Sequence, residues 1–419
     1  MRKCYLKLAH YQKRNKNIMI ETPKNWERKT LGEIGDFSKG NGISGEQLRS
    51  TGIPCVCYGD LYTKYDTKFC IPKNFTDKNA IKESTPINKG TLLFTATGET
   101  AEEIGKCVCY YGEENIYVGG DIFILQTKDI NPLFVAYQQN LSPFIKQKAR
   151  FGQGHSVVHI RLESIKKISV VYPKSLSEQQ RIVKILAKWD EAIELQELLI
   201  EKFKIQKKGL MKKLLMPKKD WKKPNNTKIR LIDLCSGKPL YGLNEAATDD
   251  ITLPRYLRIT DINDNGNYVY QGAHVHCEDD VYILKRNDIV FARTGASVGK
   301  SYLYNEADGE LAFAGFLIKF SIDPKKADSS FISYCCNTKE YWKWVEINCA
   351  RSGQPGINAE EYSSLSLPYF DFAQKEQKKI ADILNKLDIE THLHSQKLEL
   401  FKKQRKALMQ LLLTGTVLV

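Results

Sequence analysis

Hydrophobic residues follow two rhythms along this chain, and the change of rhythm marks its parts. From Ser177 to Met216 they recur every seven residues in two interleaved series, Ile182, Trp189, Gln196, Phe203, Leu210 and Leu186, Ile193, Ile200, Lys207, Leu214. That spacing predicts a helix with one apolar stripe, the a and d positions of a heptad. The pattern returns from Glu376, as Ile380, Leu387, His394, Phe401, Leu408 and Leu384, Thr391, Leu398, Arg405, Leu412. A constant offset of 198 superposes the two stretches without a gap, and about seventeen of thirty-nine positions match, Asp190/Asp388 among them. At about 1.5 Å per residue each helix would extend roughly 60 Å. A helix so long and one-sided needs its stripe covered, and the other copy is the nearest cover. Both copies interrupt the seam with polar residues at the same places, Gln196/His394 and Lys207/Arg405, which fixes register and orientation.

Elsewhere the rhythm is short. Strand-like runs occupy 53–62, 91–98, 105–111 and 121–126, a helical stretch covers 131–149, and a Gly-rich loop at 150–155 precedes a last run ending at Pro173. Ser177, with Gln180 three residues later, offers a capping box for the long helix. The plan then repeats. Pro217 to Trp221 echoes the opening at Pro23 to Trp26, 254–262 parallels 54–62, 287–295 parallels 89–98, and Ala350 to Gln354 parallels Ala149 to Gln153. Asp371 and Gln374 can cap the second helix. The expectation is an α+β protein in which two domains, 20–174 and 217–370, alternate with two long helices, 175–216 and 371–419. Residues 1–19 read as an N-terminal extension, disordered or mis-assigned. The heads share a frame and diverge in their loops, which suggests that each recognises something different.

Length and charge sharpen this. A chain of 419 residues suggests two or three domains. The 63 Lys and Arg against 49 Asp and Glu leave +14, which points to a polyanionic partner. Twelve of the basic residues, against two acids, fall between Glu201 and Arg230. Eleven cysteines, none in a CxxC pair, and no long apolar run or signal peptide predict a reduced, cytoplasmic protein away from membranes. The histidines show no ligand spacing, so neither metal nor cofactor is expected.

Catalysis is not visible. Thr294 to Ser301 resembles a phosphate-binding loop but has three residues between its glycines where four are needed. Asn131-Pro132-Leu133-Phe134 lacks the second proline of an adenine methyltransferase signature and reads as a helix start. No nucleophile set or carboxylate pair stands out. Asp60 and Asp261, at matching places, read as structural or base-contacting. DNA binding is better supported, because donor-rich loops recur in pairs. Lys39, Asn41, Arg49, Asp60, Thr97, Glu99, Lys106, Arg150, Gln153 and His155 in the first head have counterparts in Lys238, Tyr241, Arg258, Asp261, Arg293, Ser297, Lys300, Arg351 and Gln354. Arg and Lys read guanine, Gln and Asn adenine, and Asp or Glu cytosine, while other basic residues hold phosphates.

The twin helices (178–216 and 376–415), the openings Leu31-Gly32-Glu33-Ile34 and Leu231-Ile232-Asp233-Leu234, "RITDI" at 258–262 and "ARTGASVGK" at 292–300 together resemble the specificity subunit of type I restriction-modification systems, over essentially the whole chain. The resemblance implies that the heads are target-recognition domains, each reading one half of a split double-stranded DNA sequence. It implies that the helices form an antiparallel coiled coil that sets the gap between half-sites. Its seam would comprise Ile182, Leu186, Trp189, Ile193, Phe203, Leu210, Ile380, Leu384, Leu387, Leu398, Phe401 and Leu408. It further implies docking of two methyltransferase subunits that modify adenine at N6, recruitment of an ATP-dependent restriction subunit, and no catalytic residue in this chain. The sequence departs from the pattern in the polar insertion after Trp221 and the longer loop from Glu99 to Ile104. A stand-alone sequence-specific DNA-binding protein is the alternative, and purification without a methyltransferase partner would favour it.

Overall fold

The computed structural model describes residues 22–154, 156–215, 229–350, 355–367 and 374–418. The expected N-terminal extension, the second opening at Pro217 to Trp221 and the Asp371 cap lie outside them. The chain divides into two compact units. One runs to Gln196 and resumes at Lys397, and the other is Glu197–Gln396. Each unit therefore joins a head to one half of each long helix.

In the first unit a five-stranded sheet runs in the order Gly35–Lys39, Ile122–Thr127, Leu92–Thr95, Cys107–Tyr110, Lys68–Phe69. The three central strands lie almost wholly in the core, which accounts for their near-continuous apolar runs. A four-stranded sheet, Asn74–Thr76, Ile53–Val56, Ile116–Val118, Thr85–Ile87, lies in the same head. The run expected as strand over 53–62 is strand only to Val56. Tyr58–Thr63 is helical, because the Asp60 carboxylate accepts the Cys57 amide and caps a turn there. The expected helix over 131–149 is two helices, Pro132–Gln139 and Ser142–Ala149. Asn131 caps the first by accepting from the Leu133 and Phe134 amides, with Pro132 in the first turn.

The second unit repeats this frame with fewer strands. Its four-stranded sheet runs Leu240–Tyr241, Leu317–Ser321, Asp288–Ala292, Ser301–Leu303, and Arg255–Leu257 pairs in parallel with Leu311–Phe313. Each head is closed where its opening strand meets its last one, Trp26–Thr30 on Ser169–Pro173 and Ile229–Arg230 on Ser366–Leu367.

The long helices are Leu176–Leu214 and Gln374–Leu413. The first starts before the expected Ser177 cap. The Ser175 carbonyl takes the Glu178 and Gln179 amides, so Ser177 lies within the first turn. Of the expected seam residues, Ile182, Leu186, Ile380 and Leu384 are buried. Trp189, Ile193, Phe203, Leu210, Leu387, Leu398, Phe401 and Leu408 are half-buried. In the first unit Ile182, Val183 and Leu186 share a core with Met409, Leu412 and Leu413, and further along Trp189 meets Phe401 edge-on at 5.6 Å. In the second unit Leu210 and Leu214 join the core of Ile380 and Leu384, while Phe203 lies 5.3 Å from the His394 ring. Within each unit the two helix segments thus run in opposite directions.

The polar seam positions have partners. Arg405 pairs with Asp190 in the first unit, and Lys207 with Asp388 (2.6 Å) in the second. A tyrosine from the head completes each pair. Tyr137 donates to Asp190, and Tyr334 donates to Asp388 at 2.7 Å. Burial, followed by the facing aspartate, pushes both phenols well above their ordinary range, so they remain protonated donors. One turn into each helix a buried glutamine takes a head amide, Gln179 from Asn131 and Gln377 from Asp328. The two heads are fastened to their helices by the same set of contacts.

Candidate nucleic-acid interface

Strand pairing decides which candidate side chains come together. In the first head Lys39 pairs across to Phe123, and Phe123 to Phe94. Thr97–Gly98, just beyond that strand, pairs with Val158–His159, and the Ala96 carbonyl accepts the Ile160 amide at 3.0 Å. Gln153 bridges back to His159. One end of the sheet therefore gathers the loops of Lys39, Asn41, Thr97 and Gln153, and Glu99 follows directly. Lys39, Asn41, Glu99, Arg150 and Gln153 are exposed there or in the adjoining loops.

The second head builds the same end. Tyr241 pairs to Ile318, which pairs to Phe291. The Arg293 carbonyl accepts the Ile357 amide at 2.9 Å, as Ala96 does for Ile160, and Thr294 bridges to Gly356. Ser297 sits half-buried in the short turn Gly295–Ser297. The tight turn that follows needs a left-handed residue in both heads, and glycine supplies it: Gly105 has φ +68° and Gly299 +87°. Lys148 packs on Gly105 where Val345 packs on Gly299. The Lys148 ammonium is buried and donates to the Gly105 (2.6 Å) and Gln139 (2.9 Å) carbonyls, and burial brings its pKa down to about 8.

Several candidates are occupied within the protein. Asp60 is buried and holds the Cys57 amide, the Asn74 side chain and Lys64. Asp261 is 1% exposed and clamps the Arg258 amide and guanidinium. The matched aspartates are the same capping device built twice, each carboxylate buried and turned onto its own turn, and Arg258 is held with its aspartate. Arg49 turns onto the Glu46 and Leu48 carbonyls and Asp77. The Lys106 ammonium donates to the Tyr65 carbonyl at 2.7 Å, with its pKa lowered by burial, and Lys300 pairs with Asp264 at 2.8 Å. The Thr97 hydroxyl is buried and has no partner among the described residues. Lys238 is exposed but lies toward the opposite end of its sheet, since Leu240 already faces Lys319 and the Ser236 amide reaches Ser321. The structural counterpart of Lys39 is Tyr241, because Gly40 and Gly242 follow them and make the matching bonds to Ile122 and Leu317. His155, Arg351 and Gln354 lie outside the described residues.

Sequence reading missed the anchoring tyrosines Tyr137 and Tyr334. Their signal was present in "YQQN" at 137–140 and "YCCN" at 334–337. It also missed Phe316, which stands 59% exposed beside Arg293. Among the described residues no cluster of His, Cys, Asp or Glu could hold a metal ion, and no helix is long and apolar enough to cross a membrane.

Comparison with known proteins converges on one family. The model of the type I restriction modification DNA specificity domain matches twice, at residues 23–204 and 228–402. Two specificity subunits of Methanocaldococcus jannaschii, of the MjaVIII and (putatively named) MjaX type I restriction enzymes, are each 24% identical to the chain. The first alignment covers 96% of this chain and 95% of the relative, the second 98% and 99%. The solved type I restriction-modification S subunit of M. genitalium has a similar fold, with a TM-score of 0.60 at 16% identity over 95% of this chain and 97% of that one. A chain solved in work on complex assembly and conformational transition of the type I R-M system gives 0.56 at 13% identity, over 95% and 100%.

Proposed function

The chain belongs to the type I restriction modification DNA specificity family, and on that premise we propose how its parts divide the work of a DNA sequence-recognition subunit. Each head reads one half of a bipartite target in double-stranded DNA. The long helices pair along their seam as an antiparallel coiled coil, set the gap between half-sites and dock two methyltransferase subunits. Adenine methylation and ATP-dependent cleavage belong to those partners and to restriction subunits of the assembly, and this chain orients them on DNA.

The observation that carries this reading is the recognition end built twice on one frame, with different side chains on each copy. Lys39, Asn41, Glu99, Arg150 and Gln153 would contact DNA from the first head, and Tyr241, Arg293 and Ser297 from the second. Docking is supported by exposed apolar residues outside the a and d positions of the seam. Leu195, Leu198 and Ile205 on the first helix, and Ile389, Leu393 and Leu400 on the second, are each more than half exposed. A stiff spacer converts helix length into base-pair separation, so two modest readers gain the specificity of both.

The test is to co-express the chain with its methyltransferase partner in a host lacking adenine methylation and map N6-methyladenine. A split motif with a fixed unspecified gap is expected. Tight DNA binding by a chain that captures no methyltransferase would contradict the docking role and leave a stand-alone binder.

A further inference from the structure

The two recognition ends differ at one equivalent position. Ala96 in the first head corresponds to Arg293 in the second, and Asp121, which faces Ala96, corresponds to Phe316. Arg293 is held in place from three sides. Its amide donates to the Phe316 carbonyl at 3.0 Å, and its carbonyl accepts from Ile357 at 2.9 Å. Its guanidinium lies over the Tyr241 ring, 4.9 Å from the centroid. The Tyr241 hydroxyl in turn accepts the Ala359 amide at 3.1 Å, which fixes the ring.

Among the described residues nothing accepts a hydrogen bond from this guanidinium. Arg230 and Arg258, by contrast, are each held by an aspartate three residues on. A planar fork of donors fixed on an aromatic ring and left open on its edge suits a planar pair of acceptors. In the major groove that pair is O6 and N7 of guanine. Phe316 beside it offers an apolar face to the neighbouring base. A phosphate would be satisfied by a flexible lysine, whereas a stacked arginine is a directional donor.

We propose that Arg293, positioned by Tyr241, is a specificity-determining residue that reads one guanine in the half-site of the second head, a contact the first head lacks at its equivalent position. This rests on the specificity-subunit reading.

The test is selection from a library of randomised duplexes by the full chain assembled with its methyltransferase partner, comparing wild type with Arg293→Gln and Tyr241→Ala. The half-site of the first head is an internal control for folding and assembly. Arg293→Gln should keep that half and lose preference at a single guanine of the other, on the order of 10- to 100-fold, with Tyr241→Ala weakening the same position. If the motif survives and Arg293→Gln only lowers affinity for all sequences and the salt dependence by about one phosphate, Arg293 holds the backbone and the inference fails. A wild-type second half-site without guanine, or an unchanged motif in Arg293→Gln, also overturns it. A wild type that enriches no motif overturns the underlying reading as well.

Discussion

At the helix the two units are alike, and at the recognition end they are not. Asp190 takes a tyrosine and an arginine in the first unit, and Asp388 a tyrosine and a lysine in the second. At the far end of the sheet Ala96 and Asp121 stand where the second unit has Arg293 and Phe316. In the frame the same kinds of group meet in both units, an aspartate held by a head tyrosine and a basic residue of the other helix, and the leucines beside them are fully buried. In the loops the groups differ, and Lys39, Asn41, Glu99, Arg150 and Gln153 are exposed. On the proposed reading, the shared contacts serve assembly and the diverged ones serve sequence choice.

The shared frame is where a substitution should cost most. Leu186 and Leu384 occupy equivalent, fully buried places, so Leu186→Ala and Leu384→Ala should each destabilise by about 2–5 kcal/mol. Denaturant unfolding that shows a large loss for one and none for the other would contradict the equivalence.

The aspartate anchors should be less equal. Asp190 and Arg405 are 18% and 17% exposed, and Asp388 and Lys207 45% and 23%. Asp190→Ala removes the acceptor of the buried Tyr137 hydroxyl and one of the two carboxylates that hold Arg405, which keeps Asp66, at about 2 kcal/mol. Asp388→Ala should cost about 1 kcal/mol, since water screens that pair. Equal midpoint shifts for the two variants would remove the distinction.

Lys148 against Val345 gives a pH test. The native pKa of about 8 lies below the ordinary 10.5. Below pH 8 both states bind the proton and the burial penalty is complete. Between roughly pH 8 and 10.5 the unfolded chain binds more protons than the native one, so stability rises with pH. Relative to Lys148→Met, wild type should therefore gain about 3 kcal/mol across that window. Parallel pH profiles would contradict it.

The smallest effect on stability is expected at the exposed apolar positions of the helices. Leu195→Lys and Leu393→Lys should change stability by less than about 0.5 kcal/mol yet reduce co-purification of the methyltransferase. Undiminished capture would put docking elsewhere.

The long helices were legible because periodicity is local: the seam spacing and the matched Asp190 and Asp388 can be read without knowing any contact. The recognition ends were legible only in outline. A loop aspartate looks the same in sequence whether it meets a base or caps its own turn, and Asp60 and Asp261 do the latter. Lys238 and Tyr241 were read together as counterparts of the loop of Lys39, and only strand register shows that Tyr241 takes the place of Lys39. Arg293 and Phe316 become neighbours only when Asp288–Ala292 pairs with Leu317–Ser321, so no short window of sequence displays them together. Tyr137 and Tyr334 were overlooked because each serves a helix some fifty residues away.

On the proposed reading, one frame carries two independent readers. Its most direct test replaces the first head, residues 22–173, with that of another family member and maps methylated adenines made by the assembled complex. The account predicts that the half-site of the first head changes while the other half and the gap stay as they were. A change in both halves, or an altered gap with the helices untouched, would contradict it.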